Sequence, residues 1–231
     1  MPKQWVKYIQ IPQNKINLCD FLSSSLCKIG QERIIQRRRL ITAGSFTDGE
    51  QVVEITCARP TENIDAPKSN HEEADTRMIL HAAYAVRDSP TSAIAIQSTD
   101  TDVLALCLSH LTGIGYKNLW FSTRVSDCQR YITVHSIQEK LGERLWQSLP
   151  GFHALTGCVS TSSLSRHGKK KPWTILQGSA AHQTTLSLFG QRPNLHENFA
   201  ESTEAFIRDL YPKTRRQTST MDALMYVRFC Q

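Results

Sequence analysis

Two short acidic groups contain the residues whose types and spacing are best suited to chemistry. Glu73 and Asp75 open a segment with helical periodicity, and Asp100 and Asp102 follow a segment typical of a buried strand. If that helix and strand pack as in a β-α-β unit, the four carboxylates lie close together. Like charges at short range need a counter-charge, and a divalent metal ion is the usual one. The four acids are therefore the candidate metal ligands.

The acids of the first group also have ordinary structural explanations. Residues 69–72 match a helix capping box, in which Glu72 would be the cap partner. Glu73 lies one helical turn before Arg77 and suits an ion pair with it. Asp75 begins an apolar stripe along the predicted helix, which places it on the buried side. A buried carboxylate without a partner costs free energy, so Asp75 is the acid that most needs a ligand or counter-charge.

The second acidic group comes directly after residues 93–97, an apolar segment that predicts a buried strand. Acids at the carboxyl end of a parallel strand stand where α/β sheets bind their ligands. The structural alternative is helix capping, with Thr99 and Asp102 starting the next helix. One acid is enough for a cap, so this alternative leaves one of the two acids without a role.

Strand and helix patterns alternate through the middle of the chain and predict an α/β fold with a doubly wound, parallel sheet. The predicted strands are 51–57, 93–97, 118–122 and 131–134. Helices are predicted within 1–40, from Asp75 to Val86, at 103–111, from a capping box at Ser136 through Trp146, at 195–210 and at 218–231. The predicted regions are an N-terminal helical segment (1–45), an α/β core (46–160) and a basic loop with C-terminal helices (161–231).

Composition places few limits on function. The chain has 231 residues and a formal net charge of +6, with a pI near 9.0. This length suits one α/β domain or two small ones. A mild basic excess permits nucleic-acid binding without requiring it.

Cysteine usage and hydropathy predict an intracellular protein, in the nucleus or cytoplasm. The seven cysteines are an odd number without a CxxC pair, which argues against a zinc site or a disulfide framework and favours a reducing compartment. Cys57, Cys107 and Cys158 lie in apolar runs and are expected in the core. The N-terminus lacks the apolar stretch of a signal peptide. No apolar run reaches the roughly 18 residues of a membrane span, so no membrane partner is expected.

A basic segment precedes a predicted helix and is the candidate nucleic-acid contact. Arg166, Lys169, Lys170 and Lys171 surround Gly168. Cationic side chains beside a glycine at a helix start suit contacts to a phosphate backbone. A solvated run of charges is the alternative interpretation.

Three motifs stand in order along the chain and together resemble a known group of proteins. They are HEEADTR at 71–77, STDTDV at 98–103, and HALTGC at 153–158 followed by Gly168-Lys-Lys. This arrangement resembles a group of uncharacterised animal proteins, often found in transposon-rich genomes. That group in turn is similar to a distant branch of the PIN-like nucleases, nearest to the flap endonuclease type.

The resemblance implies a PIN-like Rossmannoid domain, with three layers, a mainly parallel central sheet and a C-terminal helical extension. It implies that the two acidic pairs, Glu73 with Asp75 and Asp100 with Asp102, are catalytic through two bound Mg²⁺ or Mn²⁺ ions. It also implies that Lys169 and Lys170 touch the backbone of a nucleic acid, with DNA favoured over RNA.

The chain departs from the family pattern in three places. Val159 stands where the pattern has an aspartate, Arg166 stands where it has a glycine, and the N-terminal strand that carries the first aspartate has no evident counterpart. Valine cannot ligate a metal ion. Three hypotheses follow: an active metal-dependent nuclease, a degenerate PIN-like domain that binds nucleic acid or protein without cutting, and an unrelated α/β protein whose acids are caps and surface pairs.

Overall fold

A computed structural model describes most of the chain, as two compact units. The described residues are 4–35, 38–44, 49–57, 62–65, 67–70, 74–88, 93–115, 118–125, 127–158, 161, 163, 168–191, 198–211 and 222. The first unit is 1–84 and the second is 85–231. This division falls within a helix, so it differs from the boundaries predicted at residues 45 and 160, which followed local composition.

The first unit consists of helices beside a small antiparallel sheet with the strand order β1-β2-β3. Its elements are α1 (Trp5–Ile9), α2 (Pro12–Arg33), β1 (Arg39–Ala43), β2 (Val52–Thr56), β3 (Glu62–Asn63) and most of α3 (Ala74–Asp88). Pro12 opens α2, where its fixed φ and missing N–H are favourable. α2 packs closely against the sheet at Gly30, where an added Cβ would lie 3.0 Å from Leu40 Cδ2.

The strand predicted at 51–57 is confirmed as β2, and the helical character of 1–40 is confirmed as far as Arg33. β1 was not predicted, because its sequence begins in a run of arginines. The neighbouring strand β2 supplies the counter-charge that allows Arg39 to lie in a strand, since Arg39 Nη1 is 3.0 Å from Glu54 Oε1. Such a cross-strand partner comes from a distant part of the sequence. Cys57, expected in the core, is exposed just after β2.

Because of His81 on α3, we expect the protein to lose stability in acid. Burial lowers the pKa of His81 below its ordinary value of 6.5, and the positive charge of Arg77 lowers it further. As the pH falls through 6.5 the unfolded chain gains a proton on His81 before the folded chain does, so the free energy of unfolding falls until the lower folded pKa is passed. We expect His81→Gln to remove up to about 1 kcal/mol of this loss. Urea unfolding of both proteins at neutral and at acid pH measures it, and an equal loss in both would contradict the prediction.

The second unit opens with a mixed sheet of strand order β4-β5-β6. The elements here are β4 (Ile94–Gln97), α4 (Thr101–Ile114), β5 (Leu119–Val125) and β6 (Cys128–Thr133). β4 and β5 are parallel and are connected through α4, whereas β5 and β6 are antiparallel. The strands predicted at 93–97, 118–122 and 131–134 therefore exist, and the chain has a mixed α/β fold. Among the described strands, β4 and β5 are the one parallel pair.

Six helices of the described residues follow the sheet, and most of them share one apolar core. They are α5 (Val134–Leu141), α6 (Glu143–Gln147), α7 (Leu149–Thr156), α8 (Lys170–Gly178), α9 (Ala180–Ser187) and α10 (Phe199–Leu210). The core is built from apolar side chains on α6 to α10, namely Leu145, Phe152, Leu176, Leu186, Phe206 and Leu210. The helices after residue 160 therefore pack with α6 and α7 and bury apolar surface together with them.

Three predicted helices differ from the structure at their start or lie outside the described residues. Ser136 does not cap a helix: α5 already begins at Val134 with Thr133 as its N-cap, because β6 runs directly into the helix. The helix predicted from residue 195 begins, among described residues, at Phe199. The helix predicted at 218–231 lies outside the described residues except for Asp222. No described helix is both long and apolar enough to cross a membrane.

Candidate functional site

The candidate site begins where β4 leads into α4. Asp100 is the N-cap of α4, and its Oδ1 accepts the backbone N–H of Asp102 at 2.9 Å. The backbone N–H of Asp100 donates to Ser98 Oγ at 3.1 Å. Helix capping, the structural alternative for this group, therefore applies to Asp100, whereas the capping box that begins at Thr99 is wrong. The second acid, Asp102, has its carboxylate directed at another partner.

Asp102 contacts His153, which lies on α7. Because α7 packs against α4, His153 Nε2 comes to 2.9 Å from Asp102 Oδ1, and both side chains are about four-fifths buried, with 18% and 20% exposed. His153 Nε2 is screened from solvent and makes no hydrogen bond of acceptable geometry within the described part of the chain. The carboxylate thus lies close to the ring nitrogen but out of line with it.

Lys169 approaches the other side of the same imidazole. Its Nζ lies 2.9 Å from His153 Nδ1. An ammonium group has only protons to donate, so Nδ1 is the acceptor, and the neutral ring then carries its proton on Nε2, facing Asp102. Asp102, His153 and Lys169 form a continuous chain of contacts. This chain joins the strand-end acids to the HALTGC segment and the basic segment that follows it, about 50 residues further along the sequence.

Cys158 completes the cluster. Its Sγ, a carboxylate oxygen of Asp102 and a ring nitrogen of His153 all lie within 4.8 Å of one another. The side chains of all three residues are partly buried. Oxygen, nitrogen and sulfur atoms gathered in this way are potential ligands for a metal ion.

A tight turn after α7 holds Cys158 against the helix. Gly157 has φ +101°, and a Cβ there would lie 2.5 Å from Ser163 Cα, so the turn requires glycine. Thr161 Oγ1 donates to Ala154 O at 2.7 Å and accepts the N–H of Cys158 at 3.1 Å. The Gly157-Cys158 step therefore returns the thiol towards the end of α7, where His153 lies.

The other predicted site residues are distributed as follows. Asp75 is half-buried in the first turn of α3, within the first unit. Lys170 is exposed at the start of α8, and the Lys171 ammonium donates to the Leu210 carbonyl at the end of α10. Glu73 and Arg166 lie outside the described residues, as does Val159. The four-acid metal site and the role of the basic residues on nucleic acid therefore stay predictions.

Sequence reasoning missed two members of the observed cluster. His153 was part of a quoted motif without an assigned role, and Cys158 was expected in the core. The available signal was their spacing: five residues apart around Gly157, they lie on a helix end and the turn that follows it. Only the packing of α7 on α4 shows that both residues meet Asp102.

Comparisons with protein families, curated proteins and solved structures find no match to this chain. The functional argument therefore depends on the geometry of the cluster.

Proposed function

We propose that the chain contains a PIN-like, three-layer α/β domain that binds nucleic acid, preferably DNA, and hydrolyses its phosphodiester bonds with the help of a divalent cation. One observation carries the proposal: Asp102, from the acidic group after β4, meets His153 and Lys169, from the segment that runs from HALTGC to the basic residues, beside the carboxyl end of β4. Structural caps and surface pairs alone give no reason for these two distant parts of the sequence to meet. Ligand sites of α/β proteins occupy this same end of the sheet.

The residues of the cluster suit a phosphate substrate. Asp102 supplies a carboxylate for a cation, and Asp100 supplies a second one next to it whose Oδ1 also caps α4. The cation expected from the acids is Mg²⁺ or Mn²⁺, which would activate water and stabilise the leaving oxygen. Lys169 and the exposed Lys170 bring positive charge to the same region. That Glu73 and Asp75 are also metal ligands stays a prediction from the sequence.

A second candidate is a domain that binds nucleic acid without cutting it. The observation in its favour is Val159, which stands where the family pattern has a metal-binding aspartate. A site that lacks one carboxylate holds a second cation weakly. Phosphate contacts by lysines do not need that cation, so binding would persist.

The test is cleavage of single-stranded and branched DNA by the full chain in the presence of Mn²⁺, Mg²⁺ or a chelator. We expect cation-dependent cleavage that falls at least about 100-fold in Asp102→Asn. The matched control is Asp209→Asn, since Asp209 also lies 2.9 Å from a histidine Nε2, that of His182, within the same unit. Cleavage that survives in Asp102→Asn would remove the nuclease proposal.

Filter binding of the same DNA separates the two candidates. Binding without cleavage, with an affinity that falls steeply as salt rises, supports the second candidate. The absence of both binding and cleavage contradicts both.

A further inference from the structure

We propose that Asp102, His153 and Cys158 form a binding site for one transition-metal ion of the Zn²⁺ or Co²⁺ class, with a coordination position left open. The inference deepens the proposed function, because for the same site it names a cation class that differs from the Mg²⁺ or Mn²⁺ expected from the acids alone. Its use in catalysis rests on that function, whereas the binding of the ion does not.

The donor atoms select this class of metal. Mg²⁺ prefers oxygen ligands throughout, whereas a thiolate and an imidazole favour Zn²⁺ and its neighbours in the transition series. The ligand atoms of a tetrahedral zinc ion, at about 2.0 to 2.3 Å from the metal, stand roughly 3.3 to 3.8 Å apart. Here all three atoms already lie within 4.8 Å of one another. Small side-chain rotations would bring them onto one ion.

His153 supplies a second observation that points to a ligand. Its Nε2 is screened from solvent, yet it makes no hydrogen bond of acceptable geometry within the described part of the chain. A buried polar nitrogen in that condition costs free energy. Coordination of a metal ion by Nε2 would satisfy it, and the nearby Asp102 carboxylate would coordinate the same ion.

The turn after α7 holds the sulfur ligand in place. Thr161 Oγ1 lies 3.2 Å from Cys158 Sγ, accepts the backbone N–H of Cys158 and donates its own proton to Ala154 O. Because that single proton is already used, Thr161 fixes the backbone that carries the sulfur and leaves the thiolate itself to the metal ion. Three protein ligands leave a fourth position for water or a phosphate oxygen, as in catalytic rather than structural zinc sites.

A nucleophilic cysteine is the competing interpretation, and the geometry opposes it. In a Cys-His-Asp triad one ring nitrogen faces the sulfur and the other faces the carboxylate. Here Nε2 faces Asp102 and Nδ1 faces Lys169. The imidazole therefore has no nitrogen left to take a proton from Cys158.

Lys169 provides a separate test of the metal proposal. A metal on Nε2 requires the ring proton on Nδ1, which then cannot accept a hydrogen bond from the Lys169 ammonium. The ion must also approach a positive charge. The lysine therefore opposes the ion, and Lys169→Met is expected to tighten metal binding. The thiol proton of Cys158 leaves to solvent as the ion binds.

The test is titration of the reduced full chain with Co²⁺ alone, without nucleic acid, followed by displacement with Zn²⁺. We expect one ion per chain and a near-ultraviolet thiolate-to-cobalt charge-transfer band. Cys158→Ser should abolish the band and weaken Co²⁺ binding at least about 100-fold, since loss of an outer-shell partner alone costs about 10- to 100-fold. Cys128→Ser, at an exposed cysteine on β6, is the matched control and should change neither.

Two results would overturn the metal site: no charge-transfer band in the wild-type chain, or a band that survives in Cys158→Ser. His153→Gln keeps the thiol and should still weaken binding, so a folding defect of one variant does not decide the outcome. Failure of the proposed function looks different. Co²⁺ binding without DNA binding or cleavage rejects the function and keeps the site, whereas Mg²⁺-dependent cleavage that persists in a chain without a Co²⁺ band rejects the site and keeps the function.

Discussion

Replacement of Gly151 by alanine is expected to lower the free energy of unfolding of the second unit by about 3 kcal/mol. Gly151 lies in the first turn of α7, where a Cβ would stand 2.2 Å from the backbone oxygen of Leu186 and 3.0 Å from Phe189 Cβ. A backbone oxygen on a packed helix cannot rotate away as a side chain can. The added methyl group must therefore push α7 and α9 apart and open the apolar core between them.

The control for Gly151 is Gly113, on the exposed side of α4, where an added Cβ would meet no atom within 4 Å. Alanine is favoured over glycine in an unstrained helix, so Gly113→Ala should raise stability by about 0.5 to 1 kcal/mol. Urea unfolding followed by circular dichroism measures both variants. A loss below about 1 kcal/mol in Gly151→Ala would show that α7 and α9 are not in close contact.

The effect of Gly151 reaches the candidate site, because α7 also carries His153. The contact of α7 with α9 on one side and with α4 on the other fixes the distance between His153 and Asp102. A chain that still folds with Gly151→Ala should therefore bind metal ions less well. This dependence of the site on a core glycine, two residues from the histidine, could not be deduced from motif matching.

Local sequence patterns were sufficient where a segment determines its own structure. The β4 strand, the helix after it and the position of the two aspartates between them were predicted, because hydrophobic periodicity and capping act over a few residues. β1 was missed because its arginine is neutralised by Glu54 from another strand. The partners of Asp102 were missed for the same kind of reason: His153 and Cys158 approach it only through helix packing.

From sequence, the two acids after β4 could be told apart only by counting how many acids a helix cap needs. The geometry of the helix start, which decides between them, was not accessible. The sequence offers a capping box of Thr99 and Asp102 as the structural alternative, which leaves one acid over. In the structure the cap is Asp100, since its extended backbone turns its carboxylate onto the N–H of Asp102. Which of the two acids caps the helix depends on the backbone φ and ψ angles at Asp100, which the local sequence pattern does not determine.

Asp100 provides the second large prediction, because capping and cation binding need different chemistry from the same carboxylate. Asparagine caps a helix about as well as aspartate, whereas alanine loses about 1 kcal/mol. Asparagine also removes the negative charge that a divalent cation requires. We therefore expect Asp100→Asn to keep most of the stability, within about 1 kcal/mol, and to lose at least about 100-fold in cation-dependent cleavage.

The pair of variants distinguishes a structural acid from a functional one. If Asp100 is only a cap, Asp100→Asn should cleave DNA as the wild type does, and only Asp100→Ala should change, through stability. If its carboxylate binds the cation beside Asp102, both variants should lose cleavage although only alanine loses the cap. Urea unfolding and the cleavage assay on the same protein preparations decide between these outcomes. Full cleavage by Asp100→Asn would limit the cation site to Asp102 and its contacts with α7 and the turn that follows it.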